Sequence, residues 1–159
     1  MAENRPAEAA FENLIGKQPL TDEELAALLN AADYDDRLFA EADLVRRQVY
    51  GDTVFVRGLI EFTNYCKNDC YYCGIRAGNS HADRYRLTEE EILSCCREGY
   101  ALGFRTFVLQ GGEDLYFTTE RICSLVAAIH AAFPDCAITL SIGEKTREDY
   151  QAYFDAGAR

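Results

Sequence analysis

The sequence lacks any apolar run long enough to cross a membrane. "SLVAAIHAAF", among its longest mostly apolar stretches, falls far short of the roughly 20 residues a spanning helix requires. The opening "MAENRPAEAAFENLIG" has no cationic start followed by an apolar core, so it does not read as a secretory signal. Low-complexity segments and flexible linkers are also missing, and nothing marks an internal domain boundary. Positive charge is scarce and scattered: 16 Lys and Arg against 27 Asp and Glu leave a formal charge of −11. A phosphate backbone or an anionic membrane would be repelled, which argues against nucleic acid or membrane as partner. What remains is the expectation of a soluble, cytoplasmic protein. Its seven cysteines, an odd number, should then stay reduced and serve as ligands, nucleophiles or core residues.

What is present is a repeat of strand, loop and helix. "VFVRGLIEFT" (54–63) is rich in β-branched and aromatic residues and reads as a strand. Thr88 and Glu91 stand at capping-box spacing and open a helix through about Leu102, with Gly103 as its stop. "TFVLQ" (106–110) is a second strand, followed by a helix from near Thr118 with Ile122, Leu125, Val126, Ile129 and Phe133 at helical spacing. "AITLSI" (137–142) is the third strand, and Thr146 caps a third helix carrying Tyr150, Tyr153 and Phe154, with Gly157 beyond it. Upstream, "LTDEELAALLNAAD" and "DDRLFAEADLVRRQVYG" read as amphipathic helices, the first opened by Thr21 and Glu24. Residues 1–50 therefore form a helical segment, and 51–159 an α/β portion of parallel strands. A small doubly wound sheet and the start of a (β/α)8 barrel both fit three such units. Because a barrel takes about 250 residues, the expectation is the N-terminal portion of a longer one. Its outer strands would have unpaired edges, which predicts self-association.

The chemistry gathers in "FTNYCKNDCYYCG", which places Cys66, Cys70 and Cys73 directly after the first strand. "QGGED" follows the second strand and "SIGEK" the third, so all three segments converge on the C-terminal rim of the sheet. Thiolates suit zinc or an iron–sulfur cluster. A closed zinc site needs a fourth ligand, and His81 could reach. Three cysteines on a cubic 4Fe–4S cluster would instead leave one iron open to a small molecule. Cys95, Cys96, Cys123 and Cys136 read as buried small apolar residues, and Arg76 as either an anion contact or one half of a surface salt bridge.

The Cys66-x-x-x-Cys70-x-x-Cys73 pattern, with Tyr72 before its last thiol, resembles the signature of the radical S-adenosylmethionine (SAM) enzymes. That resemblance implies a TIM-like (β/α)8 barrel, here as three βα units plus leading helices. It also implies a 4Fe–4S cluster on Cys66, Cys70 and Cys73 whose open iron takes the amino and carboxylate groups of SAM. Reductive cleavage of SAM to a 5′-deoxyadenosyl radical would follow. By the same resemblance Tyr72 lies near the adenine, and Gly111, Gly112 and Glu113 meet the SAM amino group. Gln110, Thr139 and Ser141 would face SAM or the barrel cavity. "EFTNYCKNDCYYCGIR", "YRLTEEEI", "FVLQGGED" and "ITLSIGE" are similar, within the biotin synthase-like group, to the HydE-type maturases of iron–iron hydrogenase. This implies a small-molecule or organometallic substrate, a reductant such as ferredoxin or flavodoxin, and other hydrogenase maturation proteins as partners. A methylornithine synthase or biotin synthase type of enzyme stays open, as does a non-catalytic zinc or iron–sulfur module.

Overall fold

The computed structural model describes residues 11–15, 17 and 19–159. The chain divides into two compact units, residues 1–54 and 55–159. Among the described residues of the first unit, α1 (Asp22–Leu29) begins with the expected capping box between Thr21 and Glu24. A short 3-10 turn (Ala32–Tyr34) leads into α2 (Asp35–Tyr50), whose side chains are nowhere fully buried. Phe11 stacks on Tyr34 with ring centroids 4.7 Å apart.

The second unit is three βα repeats: β1 (Gly58–Thr63), α3 (Glu89–Ala101), β2 (Thr106–Gly111), α4 (Thr119–Ala132), β3 (Ala137–Ser141) and α5 (Arg147–Ala156). The strands run parallel in the order β1-β2-β3. Threonines cap all three helices, and those at 88 and 146 complete reciprocal capping boxes. Gly103 (φ +98°) and Gly157 (φ +118°) take the left-handed conformations that end α3 and α5, as their positions in the sequence predict.

Alternation along each strand assigns its two faces. Ile60 and Phe62, Phe107 and Leu109, and Ile138 are buried, together with Ile92, Ile122, Leu125, Val126 and Ile129 from the helices. Each such side chain contributes about 1.5–3 kcal/mol through burial. On the opposite face the register aligns Leu59, Val108 and Thr139 in one row, and Glu61, Gln110 and Ser141 in the next row toward the strand C-termini.

Two expectations are corrected. The first strand starts at Gly58 and not Val54, because the ladder with β2 opens at the Gly58–Phe107 pair. Val54, Phe55 and Val56 are exposed and lie outside the ladder, so apolar character alone did not extend the strand. Cys95 is exposed and Cys123 half-buried, since each falls beside the buried stripe of its helix; only Cys96 and Cys136 are buried. On α5, Tyr153 is buried while Tyr150 and Phe154 are exposed. Among the described residues β1 and β3 are the outer strands. The end of β1 is nevertheless partly covered by the segment at 85–87, where Leu87 N–H donates to Phe62 O at 2.8 Å and Arg86 bridges antiparallel to Thr63.

Candidate functional site at the C-terminal rim

The register of β1 against β2 slips by one residue between Glu61 and Thr63. This bulge breaks the alternation, so that Phe62 and Thr63 are both buried. It aims the Thr63 hydroxyl at Asp114, to which it donates at 2.7 Å. The Asp114 side chain is 3% exposed and also takes a two-pronged contact from Arg86, at 2.6 and 2.9 Å. The Arg86 guanidinium lies 3.9 Å from the centre of the Tyr65 ring. Burial pushes the Asp114 carboxyl up, but the bonds from Arg86 and Thr63 outweigh it and hold the group below the usual carboxylate range.

The cysteine loop sits directly on the turn after β2. A Cβ on Gly112 would lie 2.2 Å from Tyr65 O and 2.7 Å from the Cys66 Cβ, so any larger residue would push the loop away. Lys67 N–H donates to Glu113 O at 3.1 Å. The Glu113 carboxylate takes the Lys67 ammonium at 3.0 Å and the Asn68 amide at 2.6 Å. The Lys67 bond, the Asn68 bond and the charges of Lys67 and Lys145 hold its pKa below the ordinary value against a smaller opposing effect of burial. From the third loop, Gly143 (φ +81°) passes so close that a Cβ there would lie 2.1 Å from Glu113 Cγ. The three segments after the three strands thus meet around one carboxylate.

Cys66 and Cys73 are half-buried and Cys70 exposed, all as free thiols. Cys73 N–H donates to Cys70 O at 3.0 Å, which turns the chain between them. Among the described residues no three Cys, His, Asp or Glu side chains are drawn together closely enough to hold a metal ion. The donor set still fits an iron–sulfur cluster by its chemistry: three thiols on one short loop, seated against a carboxylate that already holds an ammonium. His81 is exposed further along that loop. Tyr72 is 93% exposed, and Gln110 and Ser141 are exposed side by side in the row begun by Glu61. Glu61, Asn64, Ile75, Tyr85 and Gln110 border a cleft of 240 Å³. Thr139 lies in the row below, and its Oγ1 is buried with no hydrogen-bond partner among the described residues. Arg76 pairs with Asp69 at 2.8 Å, the salt-bridge alternative of the sequence reading.

Sequence reasoning missed Glu61, Asp114 and the two arginines at 84 and 86. Asp114 closes the "QGGED" string, and "RYR" just before a helix cap is the signal for its partner.

Parallel βα units that bring their loops to the C-terminal edge of one sheet define an α/β barrel-type enzyme scaffold. The Radical SAM superfamily matches over residues 60–159, and the chain belongs to that superfamily. Enzymes of this family use a 4Fe–4S cluster and SAM. Among its relatives is the FeFe hydrogenase maturase subunit HydE of Thermotoga maritima, 41% identical over 133 residues, which span 84% of this chain and 38% of that protein. The 3-methylornithine synthase of Methanosarcina acetivorans is 36% identical over 122 residues, 74% of this chain and 35% of that one. The crystal structure of methylornithine synthase (PylB) superposes with a TM-score of 0.73 at 31% identity, covering 94% of this chain and 45% of its own. The maturase HydG gives a TM-score of 0.76 at 26% identity, covering 99% and 36%. The chain thus spans less than half the length of these relatives. Among the described residues no helix is long and apolar enough to cross a membrane.

Proposed function

We propose that this chain carries the cluster- and SAM-binding part of a radical SAM enzyme that matures the active-site cluster of iron–iron hydrogenase. Cys66, Cys70 and Cys73 would hold the 4Fe–4S cluster, and Tyr72, Gln110, Gly111, Gly112, Glu113, Thr139 and Ser141 would bind SAM or line the cavity. When bound, the reduced cluster supplies the electron that breaks a carbon–sulfur bond of SAM and releases a 5′-deoxyadenosyl radical.

One observation carries this reading: Gly112 lets the first thiol's loop rest on the turn that holds Glu113, whose carboxylate grips an ammonium 3.0 Å away. A carboxylate built to hold an ammonium suits the amino group of SAM. The exposed amides and hydroxyls of Gln110 and Ser141, with the unpartnered Thr139 Oγ1 beneath, offer polar contacts to a ligand on the face opposite the helices. Tyr72 offers a free ring for stacking. The hydrogenase assignment is favoured over a methylornithine synthase type by the higher identity over more of the chain. It brings with it an organometallic or small-molecule substrate, a ferredoxin or flavodoxin as reductant, other maturation proteins as partners, and the cytoplasm as location.

Electron paramagnetic resonance of the anaerobically reconstituted, reduced protein tests the cofactor assignment. The cluster spectrum should change on adding SAM; a spectrum unmoved by SAM would point to a simple electron carrier. Cys70→Ser should lose its iron, and full retention would remove Cys70 from the ligand set.

A further inference from the structure

We propose that Arg84 is the positioning residue of the cysteine loop, holding its two ends together with a single guanidinium and placing a positive charge where that loop closes. The inference rests on the cluster reading above and adds a residue to it.

Arg84 donates four hydrogen bonds, all to backbone carbonyls. Nη1 reaches Asn64 O and, at 2.9 Å, Ile75 O. Nη2 reaches Arg76 O at 2.7 Å and Asn79 O at 3.3 Å. The two terminal nitrogens of a guanidinium carry four N–H groups, so all four are used. The acceptors bracket the ligand segment: Asn64 precedes Cys66, and Ile75, Arg76 and Asn79 follow Cys73. Asn64 grips the returning strand as well, donating from Nδ2 to Asp83 O at 2.6 Å and accepting the Tyr85 N–H at 2.8 Å.

This replaces the regular structure that the loop lacks. A segment bearing three ligands is entropically costly to close, and the clasp supplies that closure before any cluster binds. Lysine cannot reproduce it, because its donors radiate from one atom and do not span four acceptors. The second consequence is electrostatic. Arg84 is half-buried, and among the described residues no carboxylate forms a salt bridge with it. Three thiolates make a cluster site negative, and a cation fixed to the same loop without a salt-bridge partner among the described residues eases its reduction.

The test compares this chain with Arg84→Lys and Arg84→Gln. As apoproteins, both variants should keep a cooperative melt by far-ultraviolet circular dichroism. Limited proteolysis should cut both within residues 64–83 about tenfold faster, the ratio expected from losing one charge-assisted bond's worth of loop stability. After anaerobic reconstitution both should release iron to a chelator faster than the wild type. In the fraction that holds a cluster, Arg84→Gln should have a more negative reduction potential than Arg84→Lys, which keeps the charge. Cleavage and iron release at wild-type rates in both variants would overturn the clasp, and equal potentials would overturn the electrostatic half. If Arg84→Gln lost its cooperative melt, Arg84→Lys would decide the clasp, and Arg84→Met would take the place of Arg84→Gln in the comparison of potentials. Should the wild type take up no iron, the cluster reading fails by itself, and proteolysis of the apoproteins still decides whether Arg84 holds the loop.

Discussion

The helix-covered face of the sheet and the cysteine loop above it are held by opposite kinds of force. Below, Phe107, Leu109, Ile122, Val126, Ile129 and Ile138 are almost wholly buried and touch mainly apolar neighbours. Above, residues 64–87 contain no helix or extended strand, and they are fixed by Asn64, Asp69, Arg84 and the Arg86–Asp114 pair. Apolar burial is non-directional and accumulates over many contacts, so it gives a stable floor. Hydrogen bonds to single guanidinium and carboxylate groups are directional, so each sets the course of a particular stretch of backbone. The difference teaches where ligand chemistry can be placed: on a segment whose position depends on a few specific bonds, standing on a base that does not depend on them.

The sharpest way to break this division is to damage the floor. Phe107 wedges between α3 and β1: a Cβ on Gly99 would lie 3.0 Å from its ring, and one on Gly58 3.3 Å. Phe107→Ala should cost about 3–5 kcal/mol of unfolding free energy, through lost transfer energy and the cavity left behind. Urea unfolding measures it. Alkylation of Cys66, Cys70 and Cys73 under native conditions should stay unchanged, because the loop's own bonds are intact. Faster alkylation with little loss of stability would show that floor and loop are not separable.

Asp114 joins the two regions and gives the next largest effect. Asp114→Asn keeps its shape but removes the charge that Arg86 and Thr63 address, costing about 2 kcal/mol. The folded-state pKa of Asp114 is lowered, so its contribution is complete above the ordinary carboxylate pKa of about 4 and is lost as pH falls through the lower folded-state value. The wild type should therefore lose stability with acid more steeply than Asp114→Asn. Parallel stability–pH curves for the two proteins would remove Asp114 from its structural role.

How much of this was legible follows the same division. Helix spacing in "RICSLVAAI", threonines followed by acids at 88 and 146, and glycines at 103 and 157 act locally, and each element they predict is present. The thiols and the Gly-Gly-Glu turn could be named because they are motifs, and their convergence followed from parallel strands. Thr63 to Asp114 and Arg86 to Asp114 join residues 51 and 28 positions apart, and neither bond has a local signature. Their formation depends on the bulge at the end of β1, which no run of residue types announces. The overlong first strand has the same cause: Val54–Val56 look like a strand, but pairing is decided by where β2 begins.

The smallest effect tests where the border lies. Thr88 is the cap at which the loop becomes α3: its hydroxyl accepts the Glu91 N–H at 3.3 Å, and the Glu91 carboxylate accepts the Thr88 N–H at 2.7 Å. Thr88→Ala should cost about 1 kcal/mol, and Thr88→Ser should restore most of it. Both changes act on the helix end alone, since Leu87, the residue before the cap, is tied by its own backbone to Phe62 O. Thermal melting should register the loss in Thr88→Ala while proteolysis within 64–83 proceeds at the wild-type rate. Accelerated cleavage would move the border into α3, and the helix start would then count among the bonds that hold the thiols in place.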